Sequence, residues 1–232
     1  MKTRVLAVMA LAIACGGSAL ATPIVTLQTN QLLSQQGWTY QTAGLHAGTA
    51  EINAFTPSAT ALGMNTMGAG LNMTSSYLGA RNFFDESLIN TTSTVSISMR
   101  ARVLSSEVSL YHYGFGVSVQ GGNRWMGFGL STTNITYTNL VTQTATFNPT
   151  LWHDYTMVGN WSAGTFQMFV DNQLFSSGTL SSQHMGSNVF LGDSTGTANA
   201  SVQVSDLSVN VPSPAGAGVF AGAGLLAMRR RR

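Results

Sequence analysis

Eight carboxylates and four histidines are the groups in this chain that could move protons or hold a metal. A retaining glycoside hydrolase needs two carboxyl groups about 5 to 5.5 Å apart. Side chains alternate across a strand, so the adjacent Asp85 and Glu86 would face opposite ways on one. Glu51 and Glu107 stand alone. All four read as solvated surface groups, and no catalytic residue is assigned. His46, His112, His153 and His184 contain no pair at metal-ligand spacing. His153 reads as structural, and His112 as a surface residue on a polar face. Gly192-Asp193-Ser194-Thr195-Gly196 could offer calcium several carbonyls and one carboxylate. A single acid makes a simple turn the better reading. No metal site and no cofactor is therefore expected, and the missing acid pair argues against an enzyme.

Sugar recognition is the other chemistry within reach. It uses flat aromatic rings with Asn, Asp and Arg around them. Arg124-Trp125, after the turn Gly121-Gly122-Asn123, is the leading candidate, with Tyr137 and Trp161 beside it. Each ring also has a plain structural reading, because Trp and Tyr are common core residues of sandwiches. A ligand site needs convergent polar groups, which spacing alone does not place.

The elements that must hold these residues are strands. Thr94 to Val103 alternates strictly, with Val95, Ile97, Met99, Ala101 and Val103 on one face and Ser96, Ser98, Arg100 and Arg102 on the other. Tyr111 to Val119 alternates again, with Gly114 and Gly116 on the face opposite its aromatics, where a second backbone or a ligand can come close. Met126-Phe128-Leu130, Ile135-Tyr137, Tyr155 to Trp161, Phe166 to Val170 and Val189 to Leu191 continue the pattern. Val202-Val204 and Leu207-Val209 make a last strand whose apolar phase slips near Ser205-Asp206, as at a bulge. The stretch from Thr22 to Glu86 is rich in Gly, Ala, Thr and Asn and accommodates two or three strands. No sustained helical period occurs. The expected fold is all-β, an antiparallel two-sheet jelly-roll sandwich over residues 22–210.

The 232 residues suffice for one domain with a real core. Lys2 and Arg4, the apolar run Val5 to Ala14 and the small-x-small site Ala19-Leu20-Ala21 form a secretion signal over residues 1–21, cleaved between Ala21 and Thr22. Lipoprotein processing at Cys15 is the rival reading. Cleavage after Ala21 removes the only cysteine. Outside the signal and the C-terminal arginines there remain Arg81, Arg100, Arg102 and Arg124 against eight acids, a body of net charge −4 without lysine. A pI near 8.9 therefore does not signify a basic patch, and nucleic acid is set aside.

The stretch L-W-H-D-Y-T-M-V-G-N-W-S-A-G-T-F-Q-M-F-V-D-N-Q-L-F-S-S-G from Leu151, with the closing S-V-Q-V-S-D-L-S-V, resembles the concanavalin A-like lectin/glucanase superfamily, in particular its laminin G-like and pentraxin-like branches. The resemblance implies a pair of adjacent antiparallel strands, a core Trp and a turn at Asp171-Asn172. It says little of function, since the superfold carries lectins, hydrolases, lyases and adhesion modules. The Glu-x-Asp-x-Glu strand of the glucanases has no counterpart here.

Residues 211–232 resemble the PEP-CTERM sorting signal of exopolysaccharide-producing bacteria. Val211, Pro212 and Pro214 match, Ser213 stands where Glu is usual, and Arg229, Arg230, Arg231 and Arg232 form the basic end. The apolar run Ala215 to Met228 is about 21 Å long as a helix, short of a comfortable span alone, and the arginines would stay on the cytoplasmic side. The resemblance implies an exosortase-type processing enzyme as a partner, transient residence in the inner membrane, and a cell-surface or matrix destination. Together these readings describe an exported, lectin-like sandwich that binds extracellular polysaccharide. A structural or adhesive surface protein without a small ligand is the alternative, and a glycan-cleaving enzyme the third.

Overall fold

The computed structural model describes residues 22–71, 76–90, 93–108, 114–138, 141–182, 186–195 and 197–211. The secretion signal over 1–21, the tail from Pro212 to Arg232, and His112 and His184 lie outside the described residues. Thr22–Val211 forms one compact unit.

Period-two alternation folds into two antiparallel sheets, the jelly-roll sandwich expected. One sheet runs in the order β13 (Gln173–Thr179), β12 (Thr165–Val170), β11 (His153–Asn160), β6 (Thr94–Val108), β15 (Ala198–Val211), β4 (Leu62–Asn65), β3 (Phe55–Thr56), with β1 (Thr22–Thr26) also paired to β15. The other runs β10 (Val141–Thr144), β9 (Asn134–Tyr137), β8 (Arg124–Leu130), β7 (Phe115–Gly121), β14 (Asn188–Asp193), β5 (Tyr77–Phe83), β2 (Thr39–Ala43). The core lies between them. Val95, Ile97, Met99, Ala101 and Val103 of β6 meet Phe115, Val117 and Val119 of β7 and Met126, Phe128 and Leu130 of β8, all buried.

Two local features follow from the sequence. The β6–β15 register shifts between Val204 and Asp206, and the extra residue Ser205 lets both Val204 and Leu207 point into the core. At Gly114 a Cβ would sit 2.2 Å from the backbone carbon of Asn199, so this glycine marks the close approach of a second backbone.

The N-terminal third differs from the expectation of two or three strands: its described residues hold five, β1 to β5. β3 has two residues, and β2 at the sheet edge is half-buried on one face and exposed on the other. Neither presents enough buried apolar alternation to be seen in a Thr-, Gly- and Ala-rich sequence.

Candidate functional site

The outer face of the seven-stranded sheet collects glycines. Strand register aligns Gly129 of β8, Gly116 of β7, Gly192 of β14 and Gly79 of β5 in one row across four strands. Thr136 of β9 and Gln41 of β2 flank it. Gly116 and Gly129 leave a trough whose floor is bare backbone. The next row reads Gly127, Ser118, Phe190, Arg81, and the one beyond it Trp125, Gln120, Asn188, Phe83. A Cβ at Gly79 would fall 2.4 Å from the Phe190 ring, so that ring lies down against β5.

Tyr77, Arg81, Ser118, Gln120, Trp125, Phe190 and Ser194 line a hollow of about 280 Å³ here. A smaller hollow of about 30 Å³ continues over Gly116, Gly127 and Gly129 to Thr136. Arg81 is held rigidly. Its Nε donates to the Tyr77 hydroxyl at 3.0 Å and its Nη1 to Asn188 Oδ1 at 3.0 Å. The guanidinium also lies 5.5 Å from the Tyr77 ring centroid and 5.6 Å from that of Phe190. Among the described residues no carboxylate pairs with it and Nη2 has no hydrogen-bond acceptor. Burial pushes the Tyr77 hydroxyl pKa up, and the neighbouring Arg81 charge only partly opposes this. The hollow thus offers the half-buried rings of Trp125 and Tyr77, a fixed cation with a free donor edge, and the polar side chains of Ser118 and Gln120. Such a set can hold a polyhydroxylated chain by stacking and hydrogen bonding.

Of the four residues expected from sequence, Trp125 lines both hollows and Tyr137 borders the smaller one. Arg124 has the opposite strand parity, with Met126, and its guanidinium lies over Gly164 in the β11–β12 hairpin. Tyr137 is 7 % exposed and faces the core. Its hydroxyl donates to Gln143 Oε1 and accepts from Ser176, both at 2.9 Å, and its ring meets Phe166 edge-on. Trp161 is 1 % exposed and its indole N–H donates to the Gly121 carbonyl at 2.8 Å. Strand parity turns the Arg124 and Tyr137 side chains inward, though Tyr137 borders the smaller hollow, and Trp161 follows β11 of the other sheet. Tyr77, Arg81, Gln120 and Phe190 were missed by sequence reasoning. The available signal was glycine at alternate strand positions, 114–116 and 127–129.

The acids lie elsewhere. Glu51 Oε1 accepts from the Ser34 amide, Asp85 Oδ1 from the Ser87 amide, and Glu107 Oε2 from Asn199 Nδ2. His153 is a clamp, its Nδ1 2.7 Å from Asp171 Oδ2 and its Nε2 3.0 Å from the Asn148 carbonyl. Asp193 accepts from the Thr195 amide at 2.8 Å, a local turn in which the carboxyl is fully buried. Burial pushes its pKa up to about 8. Among the described residues no three His, Cys, Asp or Glu side chains are grouped to hold a metal ion.

No family model matches the chain, and no curated protein matches it in sequence. Solved structures do match in fold. A carbohydrate esterase from the Shiga toxin-encoding bacteriophage phi24B superposes with TM-score 0.53 at 14% identity, covering 83% of this chain and 100% of the other. An endo-1,3-β-glucanase from Streptomyces sioyaensis gives 0.52 at 12% identity, over 83% and 97%. An alginate lyase of polysaccharide lyase family 7 gives 0.50 at 10% identity, over 80% and 99%. The likeness is one of fold, a jelly roll shared with carbohydrate-related proteins. It corrects the expectation of a non-enzyme. That expectation rested on a missing acid pair, yet this fold carries an esterase, a glucanase and a lyase. The acid pair is a requirement of glycoside hydrolysis alone among these chemistries.

Proposed function

We propose that the glycine-floored trough of the seven-stranded sheet receives a polysaccharide chain. The observation that carries this reading is the bare backbone at Gly129 and Gly116, beside which Trp125 and Tyr77 supply faces for sugar rings. Arg81, fixed by Tyr77 and Asn188, turns its free edge to hydroxyl or carboxylate oxygens of the chain. The carbohydrate-related proteins of the same fold support it.

A glycan array followed by calorimetry tests the reading, with hexasaccharides of 1,3-β-glucan and of alginate as the neutral and acidic probes. Trp125→Ala and Arg81→Gln each lower affinity at least tenfold, about 1.4 kcal/mol. Unchanged affinity in both variants places binding elsewhere, and no binding to any glycan leaves a structural surface protein. Among the described residues that line the hollow, Tyr77 is the acid–base side chain that is neutral at rest. Chain shortening by the wild type and not by Tyr77→Phe makes the trough an active site. Intact chains after incubation make it a binding groove.

The same proposal places the protein outside the cytoplasm, with the signal removed after Ala21 and the PEP-CTERM-like tail processed near Val211-Pro212-Ser213-Pro214 by an exosortase-type enzyme. Support comes from the charge and hydropathy of the two ends. The intact mass of the exported protein tests it, and a mass retaining the four terminal arginines refutes tail processing.

A further inference from the structure

The four arginines of the body fall into two kinds. Arg100 is paired with Asp154, its Nη1 lying 2.9 and 3.0 Å from the two carboxylate oxygens, and Arg124 lies over Gly164. Arg81 and Arg102 are built otherwise, and alike. Each stacks on aromatic rings, each is fixed by a side-chain amide oxygen, and neither has a carboxylate among the described residues. For Arg102 the ring is Trp152, with 5.0 Å from guanidinium carbon to centroid, and the amide is Gln203, whose Oε1 accepts from Nε at 2.9 Å. Both terminal nitrogens of Arg102 have no acceptor among the described residues. Eight acids stand against four arginines in the body, so a shortage of carboxylates does not explain two guanidiniums without one.

Arg102 is on the opposite side of the molecule from the trough. It belongs to the outer face of β6 in the eight-stranded sheet, where register sets Gln203 and Gly63 in one row with it. Trp152 directly precedes β11, whose His153 pairs with Ala101 of β6. Arg102, Trp152 and Gln203, with Ser58, Arg100 and Ser205, line a hollow of about 430 Å³, larger than the trough's. Trp152 and Arg102 are both half-buried, so ring and guanidinium are in reach of solvent while held in place. The arrangement repeats the chemistry of the trough: an aromatic face, a fixed fork of N–H donors, an amide and hydroxyls.

We propose that this hollow is a second glycan site, so that one molecule holds two polysaccharide chains, one on each sheet. The choice of a glycan as ligand rests on the reading of the trough; the existence of the second site rests on Arg102, Trp152 and Gln203. The sandwich is then a cross-link between chains rather than a cap on one.

The four Trp indoles of the ¹⁵N-labelled chain, assigned by single Trp→Phe variants, report the two faces separately. Titrated with the two hexasaccharides used for the trough, the Trp125 and Trp152 signals both move, while those of the buried Trp38 and Trp161 stay. Arg102→Gln removes the Trp152 response and leaves that of Trp125. Mixed with the corresponding long polymers, the wild type makes turbid networks, and Arg102→Gln and Trp152→Ala give clear solutions with single-chain affinity within twofold of wild type. A Trp152 signal that stays still with a sugar that moves Trp125 overturns the second site and leaves the trough intact. Movement of Trp152 alone upholds the second site and removes the trough reading. Turbidity undiminished in both variants overturns the cross-link.

Discussion

Asp193 makes the stability of this sandwich fall as pH rises. Its side chain is 0 % exposed at the end of β14. The Thr195 amide donates to Oδ1 at 2.8 Å and the Thr66 hydroxyl to Oδ2 at 3.2 Å. Burial raises the pKa from 3.8 to about 8, and these donors offset only part of that. His46 Nε2 lies 3.9 Å away but brings no compensating charge, because burial lowers the pKa of that imidazole. Between the two carboxyl values the folded chain keeps a proton that the unfolded chain has released. Folding is therefore favoured most below the unfolded value, and the advantage is lost as pH climbs through about 8. From pH 7.5 to 8.5, a full unit or more above the ordinary imidazole pKa so that His46 is neutral in both states, the linkage amounts to about 0.7 kcal/mol. Asp193→Asn retains the shape and the acceptor while removing the proton. Urea unfolding followed by tryptophan fluorescence at several pH values in that window should show the wild type losing this much and the variant staying level. A level wild type, or an equal slope in Asp193→Asn, refutes the assignment of a neutral buried carboxyl.

Other perturbations separate packing from recognition. Trp161→Phe loses the hydrogen bond to Gly121 and part of a buried ring; thermal melts should show a loss of about 1–3 kcal/mol with glycan affinity unchanged. Gly114→Ala sets a methyl 2.2 Å from the Asn199 backbone, which has no flexible end to yield, so the soluble yield should collapse or stability drop by at least about 2 kcal/mol. Arg81→Lys keeps the charge and loses the fork that Tyr77 and Asn188 hold, and calorimetry should find affinity lowered nearly as far as by Arg81→Gln.

The sandwich is legible in the sequence wherever one strand face is buried and the other wet. Val95 to Val103 states its own orientation, and the slip at Ser205 states the bulge. The site is less legible because its faces are built across strands. Arg81, Phe190, Ser118 and Gly127 form one row yet are scattered over more than a hundred positions of chain. Only pairing register brings them together. Aromatic residue type alone misleads for the same reason: Trp125 and Trp161 look equivalent as sequence, but one faces outward while the other hydrogen-bonds inside the core. Strand glycines carry information of two kinds. Gly114 accommodates a second backbone, while the row through Gly116 leaves a floor for a ligand, and nothing in the letters distinguishes the two.

Thr22 and Val211 are register partners, so the chain enters and leaves the sandwich side by side. This sets its mechanical character. Tension drawn between these two points opens the four β1–β15 pairs one after another, like a zipper. Tension drawn from Val211 against the sheet itself runs along β15 and must shear its twelve partners on β6 at once. The same domain yields at low force when stretched from end to end and resists when held by its C-terminal end alone.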